Sequence, residues 1–556
     1  MGVSACGWSI PCSHWIGHSS GRYTSPVAWR LQLLLALLLQ AVPAVAPAAE
    51  RPWNVLILTV DCLRPDHLSL HGYGRETSPH LDAFAREAWV FEQAVATSAW
   101  TSPGIVSMLT GYYPPVHGQN ARHSHYDELM ASPLRLLKER GYATFGRSAT
   151  GANYGGLGLD EEVGDMGFDA FVRARAADPE RRPFFAWLHS KEPHLPYAPS
   201  EANAGRWLKA PPATPGVDAV RRHYLILRDP PADLSYEHAG AVAFVPGDAE
   251  AIRALYDETV RDADDHLGRA FAALRETALL DETIVVVSAD HGEELLEHGW
   301  VGHASTGYDG KLTDELVRIP LVVRVPGLGG GRSDALASGI DLMPSLFEWL
   351  GVPSTRQQPA MQGVSLVPLT DGRAGEVRHH AFLQTTRKGW TTPRGQMQRR
   401  VTALRTGDRK LIWIPAEGGR PARREAYDLV ADPGEQVDLY ASEPERFADL
   451  EEARRRWDGD NLRTASALVL GAGRGRASEQ AEAIAGGDLL AALHAYRRLL
   501  LLEKTWGLEE QPFFLDEELG APWRALRREA GASFAHAVDC EAQGLPLTCS
   551  RGAGPQ

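Results

Sequence analysis

The sequence predicts an α/β protein: a large mixed, mostly parallel sheet flanked by helices, then a small C-terminal antiparallel subdomain and a helical tail. Two observations carry this expectation. Short, continuous apolar runs rich in β-branched residues alternate with helical patterns, as in sheets covered on both faces. Beyond about residue 400 this alternation gives way to short runs joined by turn residues.

The first run is Asn54-Val-Leu-Ile-Leu-Thr-Val60, which ends at Asp61. Pro183-Phe-Phe-Ala-Trp-Leu188 is followed by His189 and His194. Thr283-Ile-Val-Val-Val-Ser288 leads to Asp290-His291-Gly292, and Pro320-Leu-Val-Val-Arg-Val325 is a fourth run. Between them, residues 79–88, 134–140 and 249–277 place apolar residues at helical spacing. Ligands of such sheets bind beyond the carboxyl ends of the strands, where these polar residues fall.

Sequence rich in Gly, Pro and Gln at 355–378 separates a second region. There, 401–405, 410–414 and 425–429 read as strands, and 444–457 as a helix packed with them. From about Ala465 the pattern is helical, as in 488–506. The expected division is therefore 1–50 leader, 51–355 catalytic domain, 356–460 subdomain and 461–556 helical extension.

The leader reads as a secretory signal peptide with a long polar lead-in. Arg30 precedes the apolar run Leu31–Val42, and small-x-small cleavage patterns follow at Ala44–Ala48. The run is shorter than the ~20 residues of a spanning helix, which disfavours a membrane anchor. No other candidate span is evident, so the reading is an exported protein, periplasmic or extracellular, without an integral membrane domain. Cys540 and Cys549 are close enough in sequence to form a short-loop disulfide in an oxidising compartment. The net charge of −14 argues against a nucleic-acid partner. It does not exclude an anionic ester substrate, because a local cation outweighs the global charge.

Four residues together can hold a divalent metal and present a nucleophile. Asp61 and Asp290 supply anionic oxygens, His291 an imidazole nitrogen, and Thr101 a hydroxyl that a metal acidifies. This mixed nitrogen and oxygen set favours zinc or manganese, with calcium or magnesium still open.

The order of motifs resembles the sulfatases and their relatives in the alkaline phosphatase superfamily. The resemblance rests on NVLILTVDCLR (54–64), TSPHLDAF (77–84), SAWTSPGIVSMLTGYYPPVHG (98–118), PFFAWLHSKEPHLPY (183–197), SADHGEELLEHG (288–299) and DELVRIPLVVR (314–324). RKLI (409–412) and YDLVADPGE (427–435) resemble the family's C-terminal subdomain. The resemblance implies that His194 and His303 flank the substrate oxyanion or hold a second metal, and that Lys311 stabilises developing negative charge. His189 and His298 read as structural histidines, and Glu293 and Glu294 as support for their loop.

The sequence departs from the family pattern at its nucleophile. Sulfatases carry Cys or Ser followed by x-Pro-x-Arg, and oxidise that residue to formylglycine. Here the stretch is Thr101-Ser-Pro-Gly-Ile105, and a secondary alcohol cannot yield the aldehyde. Cys62 stands where the family has a second acidic ligand, and the family's Lys-x-His stretch is not evident near Gly146-Arg-Ser148, where Arg147 is a weak substitute. Other branches of the superfamily use an unmodified Thr or Ser. The expectation is thus a hydrolase of sulfate or phosphate esters, carried on a glycan or a lipid headgroup. The alternatives are an envelope phospho-group transferase and a lapsed, glycan-binding member.

Overall fold

The computed structural model describes residues 52–470, except 120–125, 127–131, 149–153, 165, 228–238, 304–309, 354–360, 388–398 and 417–420, and also residue 528. The leader, the helix at 488–506 and the Cys540–Cys549 bridge lie outside the described residues. Among the described residues, no helix is long and apolar enough to cross a membrane.

An eight-stranded sheet forms the centre. Its order from one edge is Gly331–Ser338, Trp89–Val95, Leu321–Arg324, Thr283–Ser288, Asn54–Val60, Phe184–Ser190, Ala143–Arg147 and Glu161–Glu162. Leu321–Arg324 runs antiparallel to both its neighbours, and every other adjacent pair is parallel. The sheet is mixed and mostly parallel, as expected.

Burial explains why the middle strands read so clearly. Every residue of Asn54–Val60, Thr283–Ser288 and Phe184–Ser190 is buried. Helices cover both faces, so neither face needs polar residues. Each fully buried Val, Leu or Ile adds roughly 1.5–3 kcal/mol.

The helices Pro79–Ala85 and Pro133–Glu139 begin on proline, which tolerates the first turn. The helix Asp248–Glu276 buries Ile252, Leu255, Tyr256, Val260, Leu267, Phe271 and Leu274 along one stripe. Phe271 stacks on Phe84 with ring centroids 4.0 Å apart.

The second sheet has four antiparallel strands in sequence order, Ala381–Arg387, Arg399–Arg405, Arg409–Ile414 and Arg423–Asp428. The expected helix at 444–457 is a 3₁₀ turn, Pro444–Phe447, leading into Ala448–Leu470. Ala381, Leu383, Val401, Ala403 and Ile412 share one apolar cluster with Leu312, Leu316, Val317 and Leu336. Lys410 reinforces this junction from a fully buried position. Its Nζ donates to Asp314 Oδ1 at 2.6 Å and to the Leu312 carbonyl at 3.0 Å, and lies 2.9 Å from Glu435 Oε1.

Candidate active site

Three adjacent parallel strands deliver the site. Asp61 follows Val60, Asp290 follows Ser288 by two residues, and His189 is the penultimate residue of Phe184–Ser190. Thr59 pairs in register with both His189 and Ser288, so the three strands end at the same level. Thr101 is the first residue of the helix Thr101–Thr110. The positive end of that helix favours negative charge on its hydroxyl oxygen.

Glycine lets these pieces approach. A Cβ on Gly104 would lie 2.6 Å from the Asp290 carbonyl oxygen, and one on Gly292 would lie 2.0 Å from the Glu315 carbonyl oxygen. Gly104→Ala is therefore expected to cost about 1–3 kcal/mol, the scale of overpacking. Thermal unfolding checks this, and an unchanged midpoint would contradict it.

The other three residues of the proposed metal set border His291. Thr101 Oγ1 and Asp290 Oδ2 each lie 3.3 Å from His291 Nε2, and Asp61 Oδ1 lies 3.7 Å from it. The His291 Nδ1–H donates to the Gly292 carbonyl at 2.7 Å, which leaves the lone pair on Nε2. Asp290 Oδ1 accepts the backbone N–H groups of Cys62 and His291 at 3.2 and 3.0 Å. Its other oxygen is thereby aimed at the cluster.

His189, read from the sequence as structural, borders the same cluster. Its Nε2 lies 3.5 Å from Asp61 Oδ2 and 4.0 Å from Asp290 Oδ2. Its Nδ1 is 2.9 Å from Thr59 Oγ1, which also accepts the Trp187 indole N–H at 2.9 Å. Strand register, with Thr59 opposite His189, shows its place beside Asp61.

These residues fit a cation. Asp61 Oδ2, Asp290 Oδ2 and His189 Nε2 are all buried and have no hydrogen-bond partner among the described residues. Ligand atoms about 2.0–2.2 Å from one ion lie roughly 3–4 Å apart, and His189 Nε2 lies 3.5 and 4.0 Å from the two carboxylate oxygens. The charges agree. Burial, and then the charge of Asp61, push the Asp290 carboxyl above its ordinary value. Burial would also raise Asp61, but His194, His189 and His291 outweigh it and hold that carboxyl low. Two buried carboxylates facing each other need a positive charge between them.

His194 and His303 border the same cluster. Their ring centroids are 5.0 Å apart, and His303 lies 4.5 Å from His291. Burial and then His291 push the His303 imidazole down to about 4. Its Nδ1 lies 3.3 Å from Glu293 Oε2, and the Tyr197 hydroxyl donates to Glu293 Oε1 at 3.2 Å. Glu293 thus ties its loop to both Tyr197 and His303. Lys311 is half-buried, and its charge bears on His298. His298 Nε2 lies 3.6 Å from Glu315, in keeping with a structural role.

Cys62 takes a left-handed backbone conformation with φ of 60°. That is uncommon outside glycine and is found at functional sites. Tyr256 holds it, donating its hydroxyl to the Cys62 carbonyl at 2.7 Å and accepting the Arg64 N–H at 3.0 Å.

Comparison with known proteins shows the family. Residues 53–352 match the sulfatase family model, and residues 297–453 match one described as N-sulphoglucosamine sulphohydrolase, C-terminal. The chain is 26% identical over 420 residues to the multifunctional alkaline phosphatase superfamily protein PehA of Trinickia caryophylli, covering 59% of this chain and 80% of that protein. It is 22% identical over 480 residues to an N-acetylglucosamine-6-O-sulfatase of Bacteroides thetaiotaomicron, covering 70% of this chain and 83% of that protein. The fold is similar to the phosphonate monoester hydrolase of Agrobacterium radiobacter, with a TM-score of 0.56 at 20% identity over 73% of this chain and 95% of that one. It is also similar to an enzyme solved with its substrate D-glucosamine-2-N,6-O-disulfate, with a TM-score of 0.58 at 20% identity over 75% of this chain and 98% of that one. With more than half of its residues matched by the family model, the chain belongs to the sulfatase family.

Proposed function

We propose that this protein is an exported, metal-dependent hydrolase of sulfate or phosphate esters, with Thr101 as its nucleophile. The observation that carries the reading is the convergence of Thr101, Asp61, Asp290 and His291 at the strand ends, with unpaired buried oxygens aimed inward. Asp61, Asp290, His291 and His189 would hold the cation. Their nitrogen and oxygen donors favour zinc or manganese.

A divalent cation bound there supplies charge that acidifies the Thr101 hydroxyl and polarises the ester. Thr101 Oγ1 attacks sulfur or phosphorus in line, and the bond to the leaving alcohol breaks on the opposite side. The departing oxygen takes up a proton. Water then cleaves the threonyl ester, releasing sulfate or phosphate and restoring the hydroxyl. His194 and His303 face the transferred group, and Lys311 offers it a cation.

The relatives support a substrate class. One protein of similar fold takes a sulfated glucosamine as substrate, a relative is an N-acetylglucosamine-6-O-sulfatase, and another similar fold belongs to a phosphonate monoester hydrolase. A sulfated glycan or a phosphoryl headgroup is therefore the proposed anionic ester. The proposed export rests on the apolar run Leu31–Val42 and its cleavage patterns. The transferase reading is less favoured, because relatives of that type usually carry several spanning helices.

The test is hydrolysis of an aryl sulfate, a phosphate monoester and a phosphodiester by protein loaded with zinc or manganese. Turnover of at least one, lost on chelation and restored by metal, is expected. No turnover of any ester under metal loading would favour the lapsed, binding-only reading.

A further inference from the structure

The proposed chemistry uses only the buried end of a longer row of rings. Thr101 Oγ1 lies 3.3 Å from His291 Nε2. Between centroids, His291 lies 4.5 Å from His303, His303 5.0 Å from His194, and His194 6.4 Å from Tyr224. Exposure rises along the row. His291 and His303 are buried, His194 is half-buried, and Tyr224 is 45% exposed. The row therefore leads from the nucleophile to solvent. In-line displacement places the leaving oxygen opposite the attacking one, so the leaving alcohol points away from Thr101.

The outer end of the row is tied to the fold on each side. The His194 N–H donates to the Lys191 carbonyl at 2.9 Å, so one tight turn carries both side chains. The Tyr197 N–H donates to the Val220 carbonyl at 2.7 Å, just before Tyr224. Just after it, the strand Leu225–Leu227 lies against Val301–Gly302, which leads into His303. Lys191 Nζ donates to the Tyr224 hydroxyl at 2.7 Å and stands 3.9 Å from the ring centroid. Its partner is a hydroxyl rather than a carboxylate. Among the described residues no carboxylate pairs with Lys191, and an ammonium has three donors, so charge and donors are left for a ligand.

We infer that Lys191 and Tyr224 form a subsite for the leaving alcohol, and that this alcohol is a sugar carrying a second anionic group. The inference deepens the proposed function and rests on it for the ester bond that is cleaved. An exposed aromatic surface accepts the C–H face of a sugar ring, and ligand sites commonly pair such a surface with a few placed polar groups. The ammonium accepts an anionic substituent of the same sugar through charge-assisted hydrogen bonds. It also offsets the repulsion that a chain of net charge −14 exerts on a polyanion. The two residues thus select the substrate by its leaving group and take no part in bond cleavage.

The test is calorimetric binding of glucose 6-sulfate and glucose 2,6-disulfate to the metal-loaded full chain carrying Thr101→Ala, which prevents turnover. The disulfate is expected to bind about 10-fold tighter, the scale of a hydrogen bond to a charged group. Added salt should shrink that preference. Lys191→Met in the same background should remove it while the monosulfate binds as before. Tyr224→Ala should weaken both sugars by about 3- to 10-fold, the scale of an aromatic contact. With Thr101 in place, Lys191→Met should keep the wild-type kcat on a 4-nitrophenyl ester, which shows the chemistry intact. Equal affinity for the two sugars, no measurable binding of either, or a preference retained in Lys191→Met would overturn the inference. Failure of the hydrolase reading shows separately, as no turnover of any ester by wild type while the binding preference persists.

Discussion

Asp290→Asn is expected to weaken divalent-cation binding by more than about 100-fold and to abolish ester turnover with it. Loss of a supporting partner typically costs metal affinity about 10–100-fold, and a carboxylate facing the ion contributes more. Asp290 Oδ2 is one of three buried atoms that point into the cluster without a hydrogen-bond partner among the described residues. The amide keeps the shape, and its oxygen can still accept the N–H groups of Cys62 and His291. What it removes is charge. Without a bound ion, the variant is expected to be at least as stable as wild type, because it relieves a carboxyl that burial and Asp61 push upward. Calorimetric metal titration paired with thermal unfolding of the stripped protein checks both halves. Undiminished affinity would remove Asp290 from the metal set.

Lys410→Met is expected to destabilise the chain by about 3–5 kcal/mol, the scale of breaking a buried ion pair from one side. Lys410 is fully buried between Asp314 and Glu435, on opposite sides of the junction between the second sheet and the loop after Lys311. Arg405 still holds Asp314, with contacts of 3.0–3.3 Å. Among the described residues, Glu435 has no such substitute. Burial, working against Lys410, already pushes its carboxyl from 4.5 up to about 7. A carboxyl whose folded value exceeds its unfolded value loses stability as pH rises between the two, because the unfolded chain releases the proton first. In wild type this loss falls between about 4.5 and 7. In Lys410→Met the window extends to higher pH, so the gap between the proteins should widen on the alkaline side. Denaturant unfolding at several pH values measures it, and a gap that shrinks as pH rises would contradict the account.

What the sequence showed, and what it hid, follows from burial and register. Asn54–Val60 and Thr283–Ser288 were legible because both faces are covered and the runs are unbroken. Gly331–Ser338 was not, because its first half is polar and partly exposed and its pairing slips between Ser333 and Leu336. The strand Ala381–Arg387 carries Gln384, Thr385 and Thr386, polar residues that are nonetheless buried, so it lacks an unbroken apolar run. Asp61, Asp290 and His291 could be found because each stands where an apolar strand stops. His189 and Cys62 could not be placed. One follows an apolar run and was read as structural, the other stands beside a stronger ligand, and the pairing of Thr59 with His189 and the fold of the loop around Tyr256 reveal where they point. Lys311 was named from the family resemblance alone, and its role remains part of the proposal.

The central claim is that Thr101 attacks the ester. The direct measurement is turnover by metal-loaded Thr101→Ala against metal-loaded wild type, on whichever ester wild type cleaves, with bound metal quantified in both. Removing a covalent nucleophile costs on the order of a million-fold in kcat elsewhere. A loss of that scale is predicted here, with cation still bound by Asp61, Asp290, His189 and His291. Equal turnover in the two proteins would contradict the assignment.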